Sequence, residues 1–200
     1  MGGTIPETKI QMMVKQIGNA IEYLHDNGIV LRNFDASGIL MTEGTKDQTN
    51  DITVLARISN LKKACYLGDG EETIGIFGDI KFRAPEVVQG KHYNSKADSW
   101  SFGVILFLLL TGKLPFDPTT YEESHRSQCS MCIEDLILNF EVPTDLIRKQ
   151  GYSSQAEDLV RKLLSKDLSK RISMQTATKH LFFRQSAEAI KLQKKMELKE

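Results

Sequence analysis

The chain has 200 residues, 40% hydrophobic and 26% charged, which is typical of one soluble globular domain with a sizeable core. Lys plus Arg equals Asp plus Glu at 26 each, so the charge gives no argument for nucleic acid or an anionic membrane as partner. The longest apolar run, 104–110, is too short to span a bilayer, and no secretory signal is evident. We therefore expect an intracellular, cytoplasmic protein that recognises protein partners through local surfaces.

The first half of the chain predicts one long helix and a small hairpin. Thr4 and Glu7 fit a capping box with Pro6 near the first turn, and apolar residues then recur at helical spacing to Leu24. A turn at 26–28 leads to a short strand at 29–31, and two further strands, 39–41 and 52–58, flank a polar loop. Segment 60–86 has little periodicity and an acidic middle, so we predict that it is irregular and flexible.

The second half predicts a buried central helix followed by amphipathic ones. Residues 98–112 are apolar nearly all round, and Gly112 is placed to end that helix. Ser154 and Glu157 fit a second capping box, before a stripe of apolar residues at helical spacing. Residues 184–200 form a charged helix or tail, and no internal repeat divides the chain.

The three cysteines are an odd number without an export signal, which favours reduced thiols over disulfides. His125, Cys129 and Cys132 have the spacing of metal ligands, but a structural zinc site takes four ligands and no fourth is evident. We expect ordinary thiols here. A metal-stabilised structural module is kept as an alternative.

Six separated motifs, in this order along the chain, resemble the large C-terminal lobe of a Ser/Thr protein kinase. They are the helix end, turn and catalytic loop at 23–40, A-P-E at 84–86, D-S-W-S-F-G at 98–103, T-G-K-L-P-F at 111–116, D-L-S-K-R at 167–171 and H-L-F-F at 180–183. Residues 92–98 and the final motifs look most like the calcium/calmodulin-dependent and calcium-dependent kinase group.

This resemblance implies a mainly α, α+β fold: a kinase-like C-lobe over residues 1–183 with a small β-hairpin, followed by the charged tail at 184–200. No G-x-G-x-x-G motif occurs, so we expect the N-lobe, with its glycine-rich loop and its lysine, to be absent. Without that lobe we expect neither ATP nor magnesium to bind.

The resemblance also implies which residues hold the fold. Glu86 and Arg171 match the family's buried ion pair at the end of the activation segment, and Trp100 belongs to the central-helix motif. Asp98 matches the residue that accepts hydrogen bonds from the catalytic-loop backbone. Arg32 matches the arginine that pairs with a phosphorylated activation segment. Here the acidic residues between 69 and 72 could supply the anion, or the acidic loop is simply solvated.

The positions that carry phosphoryl-transfer chemistry are substituted. Asn33 stands at the catalytic base, and an amide cannot accept the substrate proton. Asp35 replaces the loop lysine and places negative charge against the transferring phosphoryl group. Gly38 and Asn60 stand at the two magnesium ligands, and Asp79 stands at the activation-segment threonine.

We therefore predict a pseudokinase that acts as a protein-binding scaffold or as a structural or allosteric subunit of an assembly. Its expected binding face lies around Leu114 to Ile137. A residual Ser/Thr kinase, with relocated chemistry or an N-lobe supplied by another chain, remains the first alternative.

Overall fold

The computed structural model of the protein describes residues 5–46, 52–118 and 132–184. The helices of these ranges are α1 Glu7–Asp26, α2 Pro85–Val88, α3 Lys96–Thr111, α4 Ile133–Asn139, α5 Asp145–Lys149, α6 Ser154–Leu163 and α7 Met174–Ala177. The strands are β1 Ile29–Val30, β2 Ile39–Lys46, β3 Ile52–Ile58 and β4 Cys65–Tyr66, and short 3-10 helices cover Ala36–Gly38 and Ile80–Phe82.

The central helix α3 confirms the prediction from its apolar sequence. Most of its side chains are buried, among them Trp100, Val104 and Leu106, each 0% exposed. The helix ends at Gly112, whose φ of +70° is the left-handed conformation that glycine adopts easily. At Gly103 an added Cβ would lie 2.8 Å from Leu163, so the missing side chain lets α6 pack directly on α3.

Two antiparallel pairs of strands lie on the helical body. The predicted hairpin is confirmed as β2 and β3, with Ile39 opposite Ile58. The inner face of the hairpin packs on the core next to α1. The second pair joins β1 to β4, with Ile29 opposite Tyr66, and β4 was not predicted. β4 ties the start of segment 60–86 to the strand that leads into the catalytic-loop motif.

Both predicted capping boxes were wrong in detail. α1 begins at Glu7 with Pro6 as its N-cap and no side-chain cap, while Thr4 lies outside the described residues. The Glu7 carboxylate instead accepts hydrogen bonds from the Ser153 backbone N–H and hydroxyl. α6 is capped by Ser153, one residue before the predicted Ser154, through a 3.2 Å bond from the Ala156 N–H to the Ser153 hydroxyl. The Glu7–Ser153 contact therefore replaces the predicted cap of α1, while the cap of α6 stays local and moves by one residue.

The described residues thus form a mainly helical body with two small antiparallel sheets. None of the helices in these ranges has the length and apolar character needed to cross a membrane. The predicted charged segment 184–200 lies outside the described residues, except for Arg184.

Candidate functional site

A buried carboxylate on α3 holds the catalytic-loop motif. Asp98 is 1% exposed, and its two oxygens accept hydrogen bonds from the Leu31 N–H at 2.8 Å and the Arg32 N–H at 3.0 Å. His25 Nε2 lies 2.8 Å from the same carboxylate. Arg32 has a φ of +60°, a conformation that costs free energy in a residue with a side chain. The bonds to Asp98 therefore fix the backbone at its most strained point.

The Glu86–Arg171 ion pair holds the other end of the activation segment. Arg171 Nη1 and Nη2 donate to the two Glu86 carboxylate oxygens at 2.6 and 2.9 Å, and Arg171 is 1% exposed. The guanidinium also lies 5.0 Å from the centre of the Trp100 ring, which stacks on Phe116 with ring centres 5.6 Å apart. Since a planar, bidentate pair of this kind is geometrically specific, it fixes α2 against the body.

The structure brings Gly38 and Asn60 side by side, the two residues that the sequence resemblance aligns with magnesium ligands. A Cβ added to Gly38 would lie 3.6 Å from the Asn60 Cβ, an ordinary van der Waals distance. The Gly38 carbonyl accepts hydrogen bonds from the Ser59 N–H at 2.9 Å and the Ser59 hydroxyl at 3.1 Å. The adjacent residues at these two positions offer one side-chain amide and no carboxylate.

Asn33, which the sequence resemblance aligns with the catalytic base, lies in a crowded setting. Its Oδ1 is buried and has no hydrogen-bond partner among the described residues. A Cβ added to Gly78 would lie 2.2 Å from this oxygen, and Gly78 has a φ of +78°. Asn33 and Asp79 line the same small pocket, of about 10 Å³. The exposed Asp79 carboxylate accepts a 3.1 Å hydrogen bond from the Lys81 N–H.

Asp35 has a local structural role that sequence reasoning missed. Its Oδ1 accepts hydrogen bonds from the Ser37 N–H at 2.8 Å, from the Ser37 hydroxyl and from the Gly38 N–H at 3.2 Å. It is thus the N-cap of the 3-10 helix Ala36–Gly38. The pocket that Asn33 and Asp79 share is not lined by Asp35. An aspartate two residues before a serine is a signal for such a cap.

The Arg32 side chain contacts a carbonyl and an aromatic ring. Its Nε donates to the Lys63 carbonyl at 2.6 Å, and its guanidinium lies 4.7 Å from the centre of the Phe77 ring. Within the described ranges, no carboxylate makes an ion pair with Arg32. Glu71, one of the expected anions, accepts a 2.8 Å hydrogen bond from the Gly68 N–H.

Segment 60–86 is irregular, as predicted, but it is anchored at several points that the sequence did not reveal. Thr73 and Tyr93 exchange backbone hydrogen bonds at 2.8 and 2.9 Å, and the Tyr93 hydroxyl donates to the Gly75 carbonyl at 3.0 Å. Burial raises the pKa of Tyr93, although the positive charge of Arg32 opposes this. Leu67 also donates to the Gly28 carbonyl at 2.7 Å.

The candidate metal ligands are only partly described. His125 and Cys129 lie outside the described residues, so their part of the hypothesis stays a prediction. Cys132 is exposed just before α4, and its thiol donates to an Asp135 carboxylate oxygen at 3.0 Å. This hydrogen bond raises the pKa of the thiol. The described part of the chain contains no group of three His, Cys, Asp or Glu residues that could hold a metal ion.

A helical body, a small hairpin, a catalytic-type loop held by an aspartate and an anchored A-P-E segment together define a protein-kinase-like domain. The family model for the protein kinase domain matches residues 1–183. The chain therefore belongs to the protein kinase family.

Several Ser/Thr kinases are similar to the chain. Serine/threonine-protein kinase unc-51 of Caenorhabditis elegans is 31% identical over 186 residues, covering 90% of this chain and 20% of that protein. CDPK-related kinase 3 of Arabidopsis thaliana is 29% identical over 191 residues, covering 96% and 29%. Serine/threonine-protein kinase GIN4 of Saccharomyces cerevisiae is 32% identical over 179 residues, covering 89% and 14%. The family resemblance is confirmed, and the chain spans less than a third of each of these relatives.

Proposed function

We propose that this kinase domain does not transfer phosphate and acts instead as a protein-binding scaffold or as a structural or allosteric subunit. The observation that carries the proposal is the pair Gly38 and Asn60. They lie side by side at the positions where protein kinases hold magnesium, yet they offer a hydrogen atom and a neutral amide.

Magnesium binding is the first step that this pair disfavours. Magnesium is a hard cation that binds through carboxylates and substrate phosphates and keeps several waters. In kinases the metal ions bridge the phosphates and neutralise the charge that develops during transfer. Gly38 contributes no ligand atom, and Asn60 contributes a weaker one than the aspartate of the family.

Proton transfer is the second step. The Asn33 amide cannot act as a base, and its Oδ1 is buried against Gly78. Asp35 is the nearest carboxylate in the loop sequence, but its Oδ1 already accepts three hydrogen bonds as a helix cap. A displaced Asp35 base would have to take the proton on Oδ2 while Oδ1 stays in the cap, and Asp35 does not line the pocket that Asn33 and Asp79 share.

The contacts that preserve shape support a binding role. Asp98 and the Glu86–Arg171 pair hold the loop and the activation segment in place although the residues between them lack catalytic groups. We assign the described helices to the C-lobe of a kinase. We place the partner surface around 114–137, of which residues 119–131 lie outside the described ranges.

A nucleotide-binding test with a matched gain-of-chemistry variant examines the proposal. Thermal unfolding would be recorded with Mg²⁺ and ATP for the wild type and for the triple variant Asn33→Asp, Gly38→Asn, Asn60→Asp. A Cβ at Gly38 has room, since its nearest contact is the Asn60 Cβ at 3.6 Å. We expect a shift below about 1 °C in the wild type, because a ligand that does not bind gives no stabilisation.

Transfer of radioactive phosphate from ATP to a generic Ser/Thr substrate would be measured in the same preparations. The proposal predicts no incorporation above a control with EDTA. ATP-dependent stabilisation of several degrees together with turnover would overturn it. If no incorporation is found, affinity capture followed by mass spectrometry would identify the protein partner.

A residual Ser/Thr kinase is the second candidate, and two observations favour it. Two of the relatives, unc-51 and GIN4, are named as serine/threonine-protein kinases, and Gly38 and Asn60 lie together. Such an enzyme would need an N-lobe supplied by additional sequence or another chain. If activity is found in a purified complex, the variant Asn60→Ala decides the matter, because loss of incorporation would assign the turnover to this chain.

A further inference from the structure

The aromatic ring of Phe77 lies against two cations. The Arg32 guanidinium is 4.7 Å and the Lys63 ammonium 5.2 Å from the ring centre. Both distances are within the roughly 6 Å over which a cation is attracted to the face of an aromatic ring. The 2.6 Å hydrogen bond from Arg32 Nε to the Lys63 carbonyl connects the two cationic residues. Phe77 therefore joins the late part of the activation segment to both the catalytic loop and the start of the segment.

The backbone next to Phe77 is shaped to receive the ring. Gly75 has a φ of +130°, and an added Cβ there would lie 2.6 Å from a ring carbon of Phe77. The Gly75 carbonyl accepts the Tyr93 hydroxyl at 3.0 Å. The Phe77 carbonyl accepts a hydrogen bond from Arg83 Nε at 3.1 Å. The ring therefore lies in a place that any side chain at position 75 would occupy.

Among the residues that the structure describes, no acidic side chain takes part in this arrangement. In the ranges that the structure describes, Arg32 makes no ion pair, and Glu71 accepts the Gly68 N–H. An ion pair with a phosphate depends on a modification that can be added and removed. A ring of the polypeptide is always present.

We propose that Phe77, held between Arg32, Lys63 and Gly75, fixes the activation segment (residues 60–86) in one arrangement without phosphorylation. We call this set of contacts the Phe77 clamp. The inference goes beyond the proposed function and does not depend on it, because the clamp would order the segment in an active or an inactive kinase. Its consequence is a segment surface that is constant from one cellular state to another.

Amide hydrogen exchange of the full chain tests the clamp. Phe77→Leu keeps an apolar side chain but removes the ring face, while Ile76→Val is the matched control, since Ile76 is 53% exposed in the same segment. Two cation–ring contacts are worth a factor of roughly 5 to 30 in the local opening equilibrium. We expect exchange at residues 67–80 to rise by that factor in Phe77→Leu and to stay unchanged in Ile76→Val. Equal exchange in the two variants would overturn the proposal.

A double-mutant cycle separates the clamp from simple loss of packing. Arg32→Met, Phe77→Leu and the double variant would be compared. A real contact predicts that exchange in the double variant rises by less than the product of the two single increases, although Arg32→Met also removes the hydrogen bond to the Lys63 carbonyl. An increase equal to that product would contradict the clamp. Because Arg32→Met leaves the Phe77 ring in place, its amide exchange still tests the clamp if Phe77→Leu fails to fold.

Phosphatase treatment of the wild type tests independence from modification. The clamp predicts the same protection of residues 60–86 before and after treatment. Loss of protection on removal of phosphate would overturn the proposal.

Discussion

The residues of the catalytic loop and the residues that hold this loop in place differ in how well they match the kinase family. By the sequence resemblance, Asn33, Gly38 and Asn60 stand where a kinase carries the side chains that transfer phosphate. At Glu86, Asp98 and Arg171 the residues are those of the family, and their contacts are short and buried. The comparison teaches that the contacts which hold the site, at Glu86, Asp98 and Arg171, do not use the side chains of Asn33, Gly38 and Asn60.

The largest loss in the free energy of unfolding should come from breaking the buried Glu86–Arg171 ion pair. Glu86→Ala leaves the Arg171 guanidinium buried without its partner, and removal of one member of such a pair costs about 3–5 kcal/mol. Urea unfolding measures this loss in the free energy of unfolding. The control is Asp145→Ala, which breaks the exposed pair with Lys149 and should cost no more than about 1 kcal/mol. Equal losses in the two variants would show that the Glu86 pair does not hold the fold.

The second-largest loss of stability should come from removing the Asp98 carboxylate, which supports the catalytic loop. Asp98→Ala removes the acceptor of the Leu31 and Arg32 N–H groups, and each unsatisfied buried donor costs about 1–3 kcal/mol. We expect a loss of about 2–4 kcal/mol in urea unfolding, below the sum for two fully buried donors because the Arg32 bond is only part-buried. Amide exchange at 30–34 should also become faster. Unchanged exchange there would mean that the loop keeps its shape without Asp98.

A smaller change in the free energy of unfolding should distinguish substitutions at two glycines, Gly78 next to Asn33 and Gly38 next to Asn60. Gly78→Ala places a Cβ 2.2 Å from the Asn33 Oδ1 at a φ of +78° and should cost about 1–3 kcal/mol. Gly38→Ala has room and should change the free energy of unfolding by less than about 1 kcal/mol. Thermal or urea unfolding of the two variants compares them directly. A large loss at Gly38 would show that its missing side chain is required by the fold.

The motifs made part of this structure predictable. Asp98, Glu86 and Arg171 lie in separated motifs whose order matches one family, so their contacts could be expected from the resemblance. The central helix could be expected from its continuous apolar sequence, and the hairpin from two short apolar runs around a polar loop.

Other contacts depend on residues far apart in sequence and carry no local pattern. Glu7 was predicted to cap its own helix, but it binds Ser153, 146 residues away. The contact of Phe77 with Arg32 and the backbone bridge of Thr73 with Tyr93 arise only once the chain is folded. Asp35 differs from these, because its short-range cap could have been recognised from the serine that follows it.

Phosphate transfer measured on the purified chain with Mg²⁺ and ATP tests the central claim most directly. The account predicts incorporation no higher than in EDTA, and the same result for an Asn60→Ala variant. Incorporation that depends on magnesium in the wild type and disappears in Asn60→Ala would contradict it.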